Sequence, residues 1–158
     1  MGLILVRYGE IALKGQNRAV FVRQLRRNMR KALRAGGVEG TVFEEDRRLF
    51  VDTPAPAAAI PYLRRVFGIV SLSEVVKVPS EIEAMRAEAL RMAAAFGLHA
   101  GPTFATESRR ADKTFPPISP EIHRLVGGVV QEATGARVDL SGNADFTVGI
   151  EVRREGTF

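Results

Sequence analysis

Between residues 17 and 34 the chain carries one regular pattern that dictates much of what must surround it. At about 100° per residue, Phe21, Leu25, Met29 and Leu33 fall in one sector, with Val22 and Ala32 beside them. Arg23, Arg26, Arg27, Arg30 and Arg34 fall in an opposite sector roughly 100° wide. Asn17 reads as the N-cap and Gly36-Gly37 as the stop. A helix with a single apolar stripe needs a second layer to cover it, and its flanks offer strands for that layer. Residues 2–7 (GLILVR) read as a short buried strand, and residues 41–44 and 49–52 as two more around the charged turn Glu45-Asp46-Arg47-Arg48. An alanine-rich helix over 55–67 follows, with Pro61 implying a late start or a kink, and then a strand over 69–78. The order strand–helix–strand–strand–helix–strand is the ferredoxin-like split βαβ arrangement, and it predicts a first domain over residues 1–78.

A second α/β unit is expected over 79–158. Ser80 with Glu83 three residues on has the form of a capping box for a helix reaching about Phe96, with Ile82, Met85, Ala89, Met92 and Phe96 inward and Gly97 after it. Residues 103–108 form a strand candidate. A basic, proline-broken loop over 109–117 leads to Ser119, a cap with Pro120 in the first turn of the next helix. Ile122, Leu125, Val126, Val129, Val130 and Ala133 make that helix's apolar face. Gly127-Gly128 inside it costs on the order of 2 kcal/mol relative to two alanines, so a close approach, most simply a packing one, has to compensate. Residues 137–140 and 146–153 read as closing strands, with Asp139 and Asp145 as turn-formers in the last hairpin.

Charge is distributed unevenly along this frame. The 158 residues carry a net +5, yet residues 1–36 hold nine Lys and Arg against Glu10 alone, a net +8. The remaining residues hold fourteen against seventeen acids, a net −3. Nineteen of the 23 basic residues are arginine, whose permanent charge and planar donor fork suit phosphate. A genome that favours arginine would explain that ratio but not the clustering. The cationic sector of the first helix spans about 16 Å at 1.5 Å per residue and has no acid at i±4 to screen it, which points to a polyanion. The 109–117 loop joins Arg109, Arg110 and Lys113 with Asp112, Phe115 and two prolines, a set suited to holding a single-stranded nucleic-acid end.

Catalytic groups are scarce. There is no cysteine, and the two histidines, His99 and His123, lie far apart in the chain, which disfavours thiolate chemistry, iron–sulfur ligation and a histidine-rich metal site. Neither a GxxxxGK[ST] loop nor a GxGxxG is present. Glu44-Glu45-Asp46 reads as a solvated turn and His123 as a satisfied boundary residue. No catalytic residue and no metal site is therefore assigned. The absence of an apolar run of about 18 residues, and an N-terminus charged too early for a signal peptide, lead to the expectation of a cytoplasmic protein without a membrane partner.

Three motifs resemble the N-terminal part of the tRNA 4-thiouridine synthetases, or tRNA sulfurtransferases. They are Arg7-Tyr8-Gly9-Glu10-Ile11-Ala12-Leu13-Lys14-Gly15 with Asn17-Arg18 and Phe21; Arg110-Ala111-Asp112-Lys113-Thr114-Phe115-Pro116 with Ser119, Glu121-Ile122, Arg124 and Gly127-Gly128; and Val138-Asp139-Leu140 with Ile150-Glu151-Val152-Arg153. The resemblance implies a ferredoxin-like domain followed by a THUMP domain, an α+β fold, that grips the acceptor stem and CCA end of tRNA for thiolation of uridine 8. Arg109, Arg110, Lys113 and Phe115 would engage the acceptor end. Lys14, Arg18, Arg23, Arg26, Arg27, Arg30 and Arg34 would hold stem phosphates, and Arg124 lies within the second motif. ATP and magnesium would belong to a separate adenylating domain, no cofactor is expected in this chain, and a cysteine desulfurase would donate sulfur to the full enzyme. The SGGxDS-like loop is absent, and Ser141-Gly142-Asn143-Ala144 replaces a shorter proline-containing turn. Other readings are an RNA-binding subunit of a THUMP-type methylase or deaminase, a ferredoxin-like domain binding anionic small molecules, and a stand-alone hydrolase.

Overall fold

The computed structural model describes residues 2–9 and 16–158; Lys14 lies outside them. The chain divides into two compact units between Val76 and Lys77. The first contains β1 (Gly2–Tyr8), α1 (Gln16–Ala35), β2 (Thr41–Glu45), β3 (Arg48–Thr53), α2 (Pro56–Leu63) and β4 (Ile69–Val75). Its sheet has the order β2-β3-β1-β4, antiparallel throughout, as a βαββαβ chain requires. Alternation along the strands puts Ile4, Val6, Val42, Leu49 and Val51 on the face that meets Val22, Leu25, Met29 and Leu33 of α1 and Ala59 and Leu63 of α2. All of these are buried, and each large one contributes roughly 1.5–3 kcal/mol. The other face carries Phe43 stacked on Phe50, ring centroids 5.5 Å apart.

Several boundaries differ from expectation for identifiable reasons. Asn17 lies inside α1, not ahead of it. The turn between β2 and β3 is two residues, Asp46 and Arg47, both with positive φ (47° and 62°), as a type I′ hairpin demands. The second helix is shorter than expected and ends at Leu63, two residues after Pro61. The strand after it stops at Val75, because Val78 belongs to the second unit, where it bridges to Thr157.

The second unit contains α3 (Ile82–Ala95), β5 (Thr103–Arg110), α4 (Ser119–Thr134), β6 (Arg137–Val138), β7 (Phe146–Arg153) and β8 (Gly156–Thr157). Its sheet order is β6-β5-β7-β8. Both β6 and β7 run parallel to β5, one on each side, so the expected closing hairpin does not form. Residues 139–145 instead pass around the start of β5. The Asp139 amide donates to the Phe104 carbonyl at 2.9 Å, and the Asp145 carboxylate accepts from the Thr103 amide (2.8 Å) and hydroxyl (3.0 Å). These two bonds hold the Asp145 carboxyl below the usual carboxylate range. Asp139 does form the expected turn, accepting the Ser141 amide at 2.8 Å.

The core joins Met85, Ala89 and Ala93 of α3, Ile122, Val126 and Val130 of α4, and Phe104, Ile150 and Val152 of the sheet. Phe96, expected inward, is 60% exposed, because the α3 stripe continues through Ala93 to Leu98 instead. Ser80 does not cap α3: its hydroxyl lies 3.0 Å from Thr157 Oγ1, and the cap position is Glu81 without a side-chain bond. Ser119 is likewise the first helical residue of α4, after the cap Ile118.

The glycine pair of α4 separates into two different cases. A Cβ on Gly127 would sit 2.8 Å from Thr106 Oγ1 of β5, whereas one on Gly128 would meet nothing within 4 Å. Gly127→Ala is therefore expected to destabilise the chain by about 1 kcal/mol or more, overpacking exceeding the helix-propensity gain. Gly128→Ala is expected to stabilise it by about 0.8–1 kcal/mol. Urea unfolding of the two variants, opposite in sign at adjacent positions, checks the packing account. In the first unit, Arg47→Gly is expected to raise the unfolding midpoint by relieving about 1 kcal/mol of left-handed backbone strain.

Candidate nucleic-acid interface

The helix α1 contains no Asp or Glu, so its basic residues meet no partner along their own helix. Packing then sorts them. Arg18 is half-buried, and its Nη2 donates to the Tyr8 hydroxyl (2.7 Å), Glu44 Oε1 (3.0 Å) and the Arg47 carbonyl (3.0 Å). The Glu44 bond leads the effects that raise its pKa. Arg18 therefore ties α1 to the β2–β3 hairpin and is not an open phosphate ligand. Arg30 donates to the Val42 carbonyl at 3.1 Å, anchoring the helix to β2. Arg26 is half-buried, and its Nε lacks a hydrogen-bond partner among the described residues. The expected five-arginine face is thus narrower. Among the described residues, Arg23, Arg27 and Arg34 are exposed without a bond to another element, Arg30 is exposed apart from its bond to β2, and they are joined by Lys31, which lies outside the arginine sector read from the sequence.

The second basic group forms where β5 and β7 end side by side. Arg109 and Arg110 are the last residues of β5 and not part of a loop, and in the parallel register they stand opposite Glu151 and Val152. Arg109 is exposed. Arg110 turns its Nη1 onto the carbonyls of Phe115 (2.8 Å) and Pro117 (3.1 Å), pinning the turn that leads into α4. Phe115, expected to be a stacking ring, is half-buried against the second core. Asp112 accepts the Thr114 amide (2.9 Å) and hydroxyl (2.6 Å). Those bonds hold its carboxyl below the usual range, assisted by the charges of Arg154 and Arg110. Lys113 and Arg124 are exposed.

Arg154, also exposed, is not recognisable in the sequence, because only the β5–β7 pairing carries the β7–β8 turn to Asp112. Its neighbour Arg153 is instead held between Glu151 (3.8 Å) and Glu155 (3.7 Å). The first turn of α4 offers few free donors: Pro120 has no N–H, and the amides of Glu121 and Ile122 bond back to the Ile118 carbonyl.

The remaining polar candidates have structural partners. His123 Nε2 accepts the Ser108 amide at 2.7 Å, and His99 Nδ1 accepts that of Gly101 at 3.1 Å. No group of three or more His, Cys, Asp or Glu among the described residues is placed to hold a metal ion, and no described helix is long and apolar enough to cross a membrane. What the geometry offers is two sets of outward cations, one along α1 and one around the ends of β5 and β7, suited to phosphate.

Comparison with known proteins agrees with both units. Residues 3–73 match the ThiI ferredoxin-like domain, and residues 79–158 match the THUMP domain. Probable tRNA sulfurtransferases of Staphylococcus aureus (39% identical over 160 residues) and Moorella thermoacetica (40% over 157) each cover 98% of this chain. The chain spans 38–39% of their length. Among solved structures, PH1313 from Pyrococcus horikoshii superposes with a TM-score of 0.85 at 36% identity, over 99% of this chain and 52% of its own. A 4-thiouridine synthetase crystallised with RNA and ATP superposes with a TM-score of 0.82 at 30% identity, over 99% of this chain and 40% of its own. The chain belongs to the THUMP family, with a ThiI-type ferredoxin-like domain ahead of its THUMP domain.

Proposed function

We propose that this chain is the tRNA-gripping part of a 4-thiouridine synthetase. It holds the acceptor stem and the CCA end so that uridine 8 reaches an ATP-dependent adenylating domain. The reading rests on one observation above the others: two sets of outward cations lie in a chain that superposes, over nearly its whole length, on a synthetase solved with RNA. ATP and magnesium act in the adenylating domain, a cysteine desulfurase supplies the sulfur, and the work is done in the cytoplasm. Within this chain, Arg23, Arg27, Lys31 and Arg34 meet stem phosphates. Arg109, Lys113, Arg124 and Arg154 meet the 3′ end. Arg110 positions the turn between them, and Lys14, which lies outside the described residues, also meets stem phosphate.

Affinity for tRNA is expected to fall linearly on a log–log plot with salt, by about 0.7–0.9 per phosphate neutralised. Changing Arg23, Arg27, Lys31 or Arg34 singly to Gln should reduce that slope by about the same amount for each phosphate left without its cation. Fluorescence anisotropy across salt concentrations reads both, and a flat salt response would overturn the phosphate account. Trimming the single-stranded 3′ end of the tRNA should weaken binding more than altering the stem sequence does; equal affinity for trimmed and intact RNA removes the role given to residues 109–117.

Arg110→Gln should release the Phe115 and Pro117 carbonyls and speed trypsin cleavage after Lys113, measured by limited proteolysis. The depressed Asp112 carboxyl also fixes a pH response. Its turn is fully held above the unfolded value of about 3.9 and is lost as pH falls through the lower native value, which the Thr114 amide resonance would follow.

A further inference from the structure

Phe67 is 90% exposed, on a turn built to hold it still. The Ile69 amide donates to the Val66 carbonyl at 3.3 Å, closing a four-residue turn with Phe67 and Gly68 at its centre. Gly68 has φ +95°, which a side chain rarely adopts, and a Cβ there would sit 2.8 Å from Phe21 Cζ of α1. The Gly9 amide donates to the Gly68 carbonyl at 3.1 Å and ties the turn to the end of β1. The backbone beneath the ring is therefore locked from three sides, while the ring itself stands in water.

Among the described residues, the segments that build the turn are basic and apolar. No Asp or Glu occurs between Asp52 and Glu74, a stretch in which Arg64 and Arg65 are both exposed. The α1 helix, which touches the turn through Phe21, is equally free of acids. Val70, 71% exposed and 3.8 Å from where a Cβ on Gly9 would sit, adds a second exposed apolar side chain to this end of the sheet. A purely apolar partner would leave the guanidinium groups beside it desolvated and unpaired, whereas a nucleotide satisfies both. Its base stacks on the ring and its phosphates meet Arg64 and Arg65.

We infer that Phe67 is a stacking platform for an unpaired nucleotide of the bound RNA, flanked by Arg64 and Arg65. This rests on the RNA-binding reading above and adds to it a base contact in the first unit, separate from residues 109–117.

The test uses the whole chain. Phe67→Ala should weaken tRNA binding about 5- to 100-fold while leaving the salt slope unchanged, because the ring carries no charge. The chain contains no tryptophan, so Phe67→Trp installs a single reporter. Its emission should be quenched by a short single-stranded RNA and not by a blunt-ended duplex. Wild-type affinity in the Phe67→Ala variant, or an unquenched Phe67→Trp variant, each overturns the platform while the salt-dependent binding of the wild type still stands. Wild-type chain that binds no RNA overturns both readings. Self-association abolished by Phe67→Ala would give the ring to a second copy of the chain and overturn the nucleotide assignment.

Discussion

The parallel pairing of β5 with β7 is the constraint on which the second unit's surface depends. It aligns Arg110 with Val152, so the chain leaving β5 and the turn leaving β7 emerge side by side. The amides of Ala111 and Asp112 both donate to the Val152 carbonyl, at 2.9 and 3.2 Å, extending the pairing into the turn. Arg110 then holds the turn's far end through two carbonyls. A guanidinium is well suited to this, since its fork reaches two acceptors at once and keeps its charge when half-buried. Lys113 lies within the turn so anchored, while Arg109 and Arg124 are placed by β5 and α4.

Arginine therefore serves two purposes in this molecule, separated by what each guanidinium can reach. Arg18, Arg30 and Arg110 reach backbone carbonyls or a carboxylate: Arg18 and Arg30 join α1 to the β2–β3 hairpin, and Arg110 pins the turn that follows it. Arg23, Arg27, Arg34 and Arg109 point outward from helix or strand. Using one residue type for both purposes makes a basic run ambiguous in the sequence, because a structural guanidinium and a phosphate-binding one have the same helical phase to within a single side chain's reach. Arg30 lies on the polar side of α1, as its phase predicts, yet near enough to the β2 edge to bond there.

The first unit was legible in its elements and their order, with boundaries shifted by one to four residues. Its elements follow one another in the order they pack, each apolar stripe has a nearby strand to cover, and the hairpin turn lies within a four-residue charged segment. The second unit was legible as elements and less so as a sheet. The two segments 137–140 and 146–153 are short and separated by a turn-like sequence, which is how a hairpin reads locally. Insertion of β5 between them comes from a strand more than 30 residues earlier, a non-local fact that periodicity does not carry. The same non-locality hides Arg154 and the true partner of Ser80, whose hydroxyl finds Thr157 at the other end of the unit instead of its own helix.

Amino-acid order alone determined which faces are apolar, that α1 stops at the Gly36-Gly37 pair, and that nearly all the early charge is positive. These properties are local: they follow from side-chain spacing within one element and from the absence of acids around it. Tertiary structure decided which of those positive charges remain outward, because a guanidinium's reach spans the gap between neighbouring elements and only packing brings carbonyls into range. It also decided that Phe115 rests against the core while Phe67 stands in water. Both are phenylalanines beside arginines in proline- or glycine-punctuated turns, and the difference lies in whether a second element is there to cover the ring.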